Sequence, residues 1–316
     1  MAILYKHFVQ NLNQKTILKS ISFQGVGLHS GKISKIKLIP GEEDTGIIFK
    51  RVDLKENNII QANFKNVSSA RLCTTLKNNF GVTVSTVEHL LAAFYITGID
   101  NVIVETDNVE IPIMDGSSKD FVNVINQSGI KVMPAKRKFL KILKKVELLD
   151  NEKSISIETN NEGLDVDFEL GYNNEIIGNQ KNHINFNSTK TEEVYSSRTF
   201  CLFEDVEKIK NSGLAKGGSL ENAIVVKGET VLNNGGLRNK KEFVNHKILD
   251  LVGDFLLSGY RILGSVKCVQ GGHHLSNLFL KEVFKDESNY SIIKFNNIET
   301  IKKDFKRTAN KLAVNA

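Results

Sequence analysis

An α+β fold made of two similar halves is the architecture this sequence predicts, and three observations point to it. Short β-prone runs broken by Gly, Ser and Asp precede helical stretches. The order helix, strand, Gly-containing loop, helix recurs in both halves. At 316 residues, the chain is longer than one modest core needs. With 41% apolar and 25% charged residues, the composition is that of an ordinary globular protein, without a collagen-like, coiled-coil or disordered signature.

Taken in order, the runs SISFQGVGL, KISKIKLI and TGIIFKRV between Thr16 and Val52 read as strands of an antiparallel sheet. STVEHLLAAFYITG follows as a helix, in which Ser85 can cap, Glu88 stands three residues on as in a capping box, and Gly98 offers a stop. NVIVET is a strand, EIPIMDGSS a loop, and a second helix spans about Lys119 to Gln127. In the second half KFLKILKKVELL, SISIET and LDVDFELGY read as strands, and EFVNHKILDLVGDFLLSG sets Phe243, Val244, Ile248, Leu251, Val252 and Phe255 at a helical period. RILGSVKCV is a strand leading through GGHH into a helix from about His274 to Phe284. The halves meet near MPAKRK, around Pro134 to Lys138, which predicts domains at 1–135 and 136–316. The Gly-rich stretch from about residue 198 to 226 has no counterpart in the first half and reads as an insertion, either a functional flap or a surface elaboration.

Composition also removes some classes of function. Cys73, Cys201 and Cys268 are far apart, which argues against a disulfide framework or a thiolate metal cage and fits a reducing cytoplasm. Lys6, His7 and Gln10 interrupt the apolar residues at the N-terminus, so no secretory core forms there. Nowhere do the roughly 18 uninterrupted apolar residues of a membrane span occur. Any membrane contact is then peripheral or through a lipid-like substrate. The net charge of +6 favours anionic partners. Part of it sits in the tail (Lys302, Lys303, Lys306, Arg307, Lys311), where solvated surface is the plainer account, and no aromatic-rich basic stripe supports nucleic-acid binding.

Three constellations carry chemistry. His246 and Asp250, in HKILD, stand four apart on a predicted helix and so project from one face about 6 Å apart, a spacing that suits two ligands of one metal or a simple surface pair. Asp254 lies one turn further. Glu88 and His89 are neighbours and diverge by about 100° around their helix, so they cannot serve identically. A metal-binding His89 would leave Glu88 free to act as a base. GGHH places His273 and His274 behind two glycines at a helix start, suited to proton donation, and no local rule separates the two. Two His and one carboxylate with an open position form a catalytic zinc pattern that iron would also tolerate.

STVEHLLAAF, GIDNVIVE, IPIMDGSS, SRTF, GLAKGGSLENAIVV, EFVNHKILDLVGD and GGHHLSN, in this order, resemble the motifs of the UDP-3-O-acyl-N-acetylglucosamine deacetylase family, as do GVGLHSG and RLCTTL. The likeness begins near Thr16 and covers nearly the whole chain. It implies two two-layer α+β sandwich domains, each with a small insert, facing one another across the active site, the second insert forming an apolar passage for an acyl chain. It implies one zinc ion on His89, His246 and Asp250, with Glu88 as general base and His273 as acid. By the same resemblance Asp254 orients or charge-stabilises His273, Thr199 stabilises the oxyanion, and Lys247 and Phe200 contact substrate. The implied activity is hydrolysis of the N-acetyl group of an acyl sugar nucleotide in lipid A synthesis, by a cytoplasmic monomer. A metal-dependent amidase with another N-acyl substrate, or a non-catalytic anion binder, are the rival readings. Two departures from the pattern are the residues preceding Thr16, expected to be loosely packed, and the second imidazole at His274.

Overall fold

The computed structural model describes residues 12–187 and 191–295, so the basic tail and residues 1–11 lie outside the described residues. The fold is α+β, with open sheets and six α-helices among the described residues: α1 (Glu88–Thr97), α2 (Lys119–Ser128), α3 (Glu192–Tyr195), α4 (Phe203–Asn211), α5 (Glu242–Leu256) and α6 (His273–Lys285).

A five-stranded sheet runs in the order Ile21–Val26, Ile33–Pro40, Val102–Thr106, Ile47–Arg51, Ile59–Gln61. The antiparallel sheet expected from Thr16 to Val52 is therefore a mixed one. Val102–Thr106 inserts between two of its strands, antiparallel to Ile33–Pro40 and parallel to Ile47–Arg51. A parallel pair needs a long crossover, and the connection that contains α1 supplies it. In the seven-stranded sheet the corresponding place belongs to Arg261–Val269, which follows α5 and pairs with Lys153–Thr159, Lys138–Ile142 and Leu164–Gly171. KFLKILKKVELL, read as one strand-like run, is split into Lys138–Ile142 and Val146–Asp150.

Residues just before Thr16 are not loose. Asn13–Ile17 pairs with Ile130–Lys136, and the Gln14 side chain bonds Asp44 and accepts from Asn101. Ile17 is buried, which anchors the strand.

Helix α1 is buried all the way from Glu88 to Tyr95, as befits a helix without a polar face. The predicted capping box is absent. Ser85 is engaged in backbone bonds with Val109 and Ile111, Val87 takes the cap position without a side-chain bond, and the Glu88 carboxylate accepts from the Thr74 N–H instead. The stop at Gly98 holds: it adopts φ 80°, and its N–H returns to the last turn. The carbonyls at this end accept from buried guanidinium groups. Arg261 donates to Phe94, Tyr95 and Ile99, and Arg137 donates to Gly98 while pairing with Asp100. Cations here complement the negative end of the helix dipole.

Helices α1 and α5 pack against each other, and one continuous apolar core includes Leu90, Leu91 and Phe94 of α1 together with Ile248, Leu249 and Val252 of α5. They come close together at Gly253, where an added Cβ would overlap the Glu88 carbonyl and come within 3.1 Å of the Ala92 nitrogen. Overpacking of this kind costs about 1–3 kcal/mol, more than the roughly 1 kcal/mol that alanine gains in helix propensity. Gly253→Ala is accordingly expected to lower the urea midpoint without changing the slope; an unchanged or raised midpoint would show that the two helices can separate freely.

Candidate metal centre and catalytic cleft

Glu88 and His89 open helix α1, and His246, Lys247, Asp250 and Asp254 lie on successive turns of α5. His273 opens α6, just after Gly272, whose backbone is fully extended. The α1–α5 packing brings these residues of distant sequence to one place. His89 Nε2 is 3.5 Å and His246 Nε2 3.4 Å from Asp250 Oδ1. One nitrogen from each His and one Asp250 oxygen all lie within 4.8 Å of one another, and all three residues are buried.

The local chemistry fits a cation at that point. Burial pushes His246 down to about 3, so its ring is neutral, and its Nδ1 faces the Ser197 carbonyl at 3.1 Å. A carbonyl only accepts, so Nδ1 carries the proton and Nε2 presents a lone pair. Asp250 Oδ1 is buried without a hydrogen-bond partner. A carboxylate oxygen and an imidazole lone pair at this distance repel unless a positive ion lies among them. Burial opposes the charge on Asp250, but the cationic Lys247 and His273 beside it hold the carboxyl well below its usual range. The set of two nitrogens and one oxygen suits a divalent ion such as zinc.

On either side stand groups able to move protons. Burial raises the pKa of Glu88, opposed in part by His273 and His89. Its Oε2 is held by the Thr74 N–H at 3.0 Å, and its Oε1 lies 3.7 Å from His273 Nε2. His273 Nδ1 contacts Asp254 Oδ2 at 2.9 Å. Burial works against charging His273, yet the carboxylates of Asp254, Asp250 and Glu88 prevail and push it up to about 10. Lys247 donates to Asp250 Oδ2 at 3.1 Å, and its ammonium sits 5.5 Å from the centre of the Phe200 ring.

Glu88, His89, His246, Lys247, Asp250, His273, Thr199 and Phe200 all line one cleft of 290 Å³. Asp254 is buried behind it. Next to the cleft is an apolar cavity of 370 Å³ under the inserted segment, walled by Val206, Ile209 and Leu220 among others and sharing Thr199, Phe200 and Cys201 with the cleft. One imidazole singled out in the sequence stays apart: His274 is exposed and lines neither cleft nor cavity. Cys73 is half-buried beside the site, and burial, followed by the Glu88 charge, pushes its thiol up to about 11.

Sequence reading missed Thr74. Its hydroxyl donates to Asp254 Oδ1 at 2.6 Å while its N–H holds Glu88, so one residue braces both Glu88 and the hydrogen-bond partner of His273. Its only signal was membership of RLCTTL, a segment with no local pattern that predicts such a role.

The model of the family described as UDP-3-O-acyl N-acetylglycosamine deacetylase matches residues 14–285. A UDP-3-O-acyl-N-acetylglucosamine deacetylase of Nautilia profundicola is 42% identical over 286 residues, covering 90% of this chain and 96% of the relative. Proteins of the same name from Haemophilus ducreyi and Mannheimia succiniciproducens are 37% and 39% identical, covering 91% and 92% of this chain and 95% and 96% of their own lengths. Nearly the full length of each relative is thus matched, and the chain belongs to the UDP-3-O-acyl N-acetylglycosamine deacetylase family.

Proposed function

We propose that the protein removes the N-acetyl group of UDP-3-O-acyl-N-acetylglucosamine, giving acetate and the free amine at an early step of lipid A biosynthesis, with one zinc ion held by His89, His246 and Asp250. The observation that carries the reading is the convergence of three buried ligand atoms within 4.8 Å, flanked by a carboxylate and an imidazole suited to opposite proton transfers.

When bound, zinc would supply Lewis acidity, lowering the pKa of a water toward about 7 and polarising the acetamide carbonyl. Glu88 takes a proton from the attacking water; burial raises its proton affinity, and the Thr74 N–H fixes one of its oxygens. The Thr199 hydroxyl donates to the oxygen on which negative charge develops. His273, oriented by Asp254 through Nδ1, presents Nε2 to the cleft and protonates the departing nitrogen as the C–N bond breaks. Glu88 and His273 are both carried on helices, which limits their drift from the reacting atoms.

Lys247 and Phe200 contact the substrate at the cleft, and the acyl chain occupies the adjoining apolar cavity. The enzyme works as a cytoplasmic monomer in two domains that divide after residue 135. Among the described residues no helix is long and apolar enough to cross a membrane, and Cys73, Cys201 and Cys268 are free thiols, as a reducing compartment would keep them.

An assay of zinc content coupled to acetate release tests these assignments. Glu88→Ala should reduce turnover by about 10²–10⁴-fold with zinc content near that of the parent; full activity in the zinc-loaded variant would remove Glu88 from the mechanism. His246→Ala should instead reduce the zinc bound per chain, and unchanged stoichiometry would refute its assignment as a ligand.

A further inference from the structure

Away from the ligands and the reacting groups, Glu110 is a carboxylate only 1% exposed whose oxygens accept from three neutral donors. The His29 N–H reaches Oε1 at 2.8 Å, the Ser30 N–H reaches Oε2 at 2.7 Å, and the Thr86 hydroxyl reaches Oε1 at 3.0 Å. Bonds to an ionised acceptor are the stronger kind, and no single residue replaces all three. One side chain therefore ties the GVGLHS loop to the turn that leads into Glu88.

The loop that Glu110 holds is in turn the seat of the inserted segment. Leu28 accepts from the Gly217 N–H at 3.0 Å, the His29 carbonyl from the Lys216 N–H at 3.3 Å, and His29 Nδ1 from the Ala215 N–H at 3.4 Å. The seat is tight, since a Cβ on Gly217 would overlap the Gly27 carbonyl. Leu28 and His29 line both the apolar cavity and the catalytic cleft. On the other side Thr86 sits at φ 56°, a strained position for a β-branched residue, and its hydroxyl is among the groups that hold it there.

We propose that Glu110 is a positioning residue that sets acyl-chain selection by fixing the Leu28–His29 wall between cleft and cavity. The inference rests on the deacetylase reading but assigns no chemistry to Glu110, which acts through the loop. A long acyl chain must pass this wall, whereas a 3-O-acetyl substitute need not, so displacement of the wall affects the two substrates unequally.

The test compares kcat/KM for UDP-3-O-acyl-N-acetylglucosamine carrying a long acyl chain with that for the 3-O-acetyl analogue. Glu110→Gln keeps the size but turns an NH2 toward a backbone donor. The expected result is about a tenfold or greater loss in the ratio of the two kcat/KM values, carried by KM of the long-chain substrate, with zinc content unchanged. His29→Phe, which keeps a ring but removes the acceptor for Ala215, should lose the ratio similarly, and the double variant should lose little beyond the larger single effect. Equal losses on both substrates, an unchanged ratio or additive losses would overturn the proposal. If Glu110→Gln does not fold, Glu110→Asp, which keeps the charge but withdraws it from the three donors, takes its place and must lower the same ratio. Parent enzyme that releases acetate from neither substrate would instead sink the deacetylase reading.

Discussion

The close contact of two buried helices at Gly253 is the constraint on which the site depends. His89 comes from α1 and His246 with Asp250 from α5, so their separation is set by how near the helix axes can come. A glycine opposite the Glu88 carbonyl removes the side chain that would hold the helices apart, and the apolar residues around it make the approach favourable. The two ends are fixed by charge. Arg261, from the strand after α5, donates to the last carbonyls of α1, and Glu242 at the start of α5 is fully buried against the Arg198 guanidinium and accepts from the Arg238 N–H. Carboxylates at a helix start and cations at a helix end both match the dipole.

Within this frame the site concentrates titratable groups where water is scarce, and their neighbours determine which charge state each holds. Burial alone would neutralise every one of them. His246 follows that rule and stays neutral, the form in which its free lone pair could meet a cation. His273 departs from it because three carboxylates surround it, and Asp250 departs from it because the Lys247 ammonium and the His273 ring stand beside it. Two histidines in one cleft are thus driven in opposite directions, so that one offers a lone pair and the other a proton.

Legibility in the sequence followed the range of the interactions. Strands with alternating burial, such as Leu164–Gly171, and the Gly98 stop were readable because their causes are local. The Ser85 capping box failed because tertiary partners claimed both of its members, the Val109–Ile111 backbone beside Ser85 and Thr74 beside Glu88. The antiparallel reading of the first sheet failed because Val102–Thr106, separated from its neighbours by a helix, took the central place. His89, His246 and Asp250 were each ambiguous alone, and motif order rather than local chemistry joined them.

The amino-acid order by itself determined the types of the main elements, the apolar stripe of α5, and which side chains could ligate a metal or move a proton, since these depend on neighbours a few residues away. Only the tertiary structure decided that Thr74 braces Glu88 and Asp254 together, that Glu110 joins the His29 loop to the Thr86 turn, and that His274 faces outward. Those choices come from packing two helices and several loops into one water-poor space, where each buried polar atom must find a partner supplied from elsewhere in the chain.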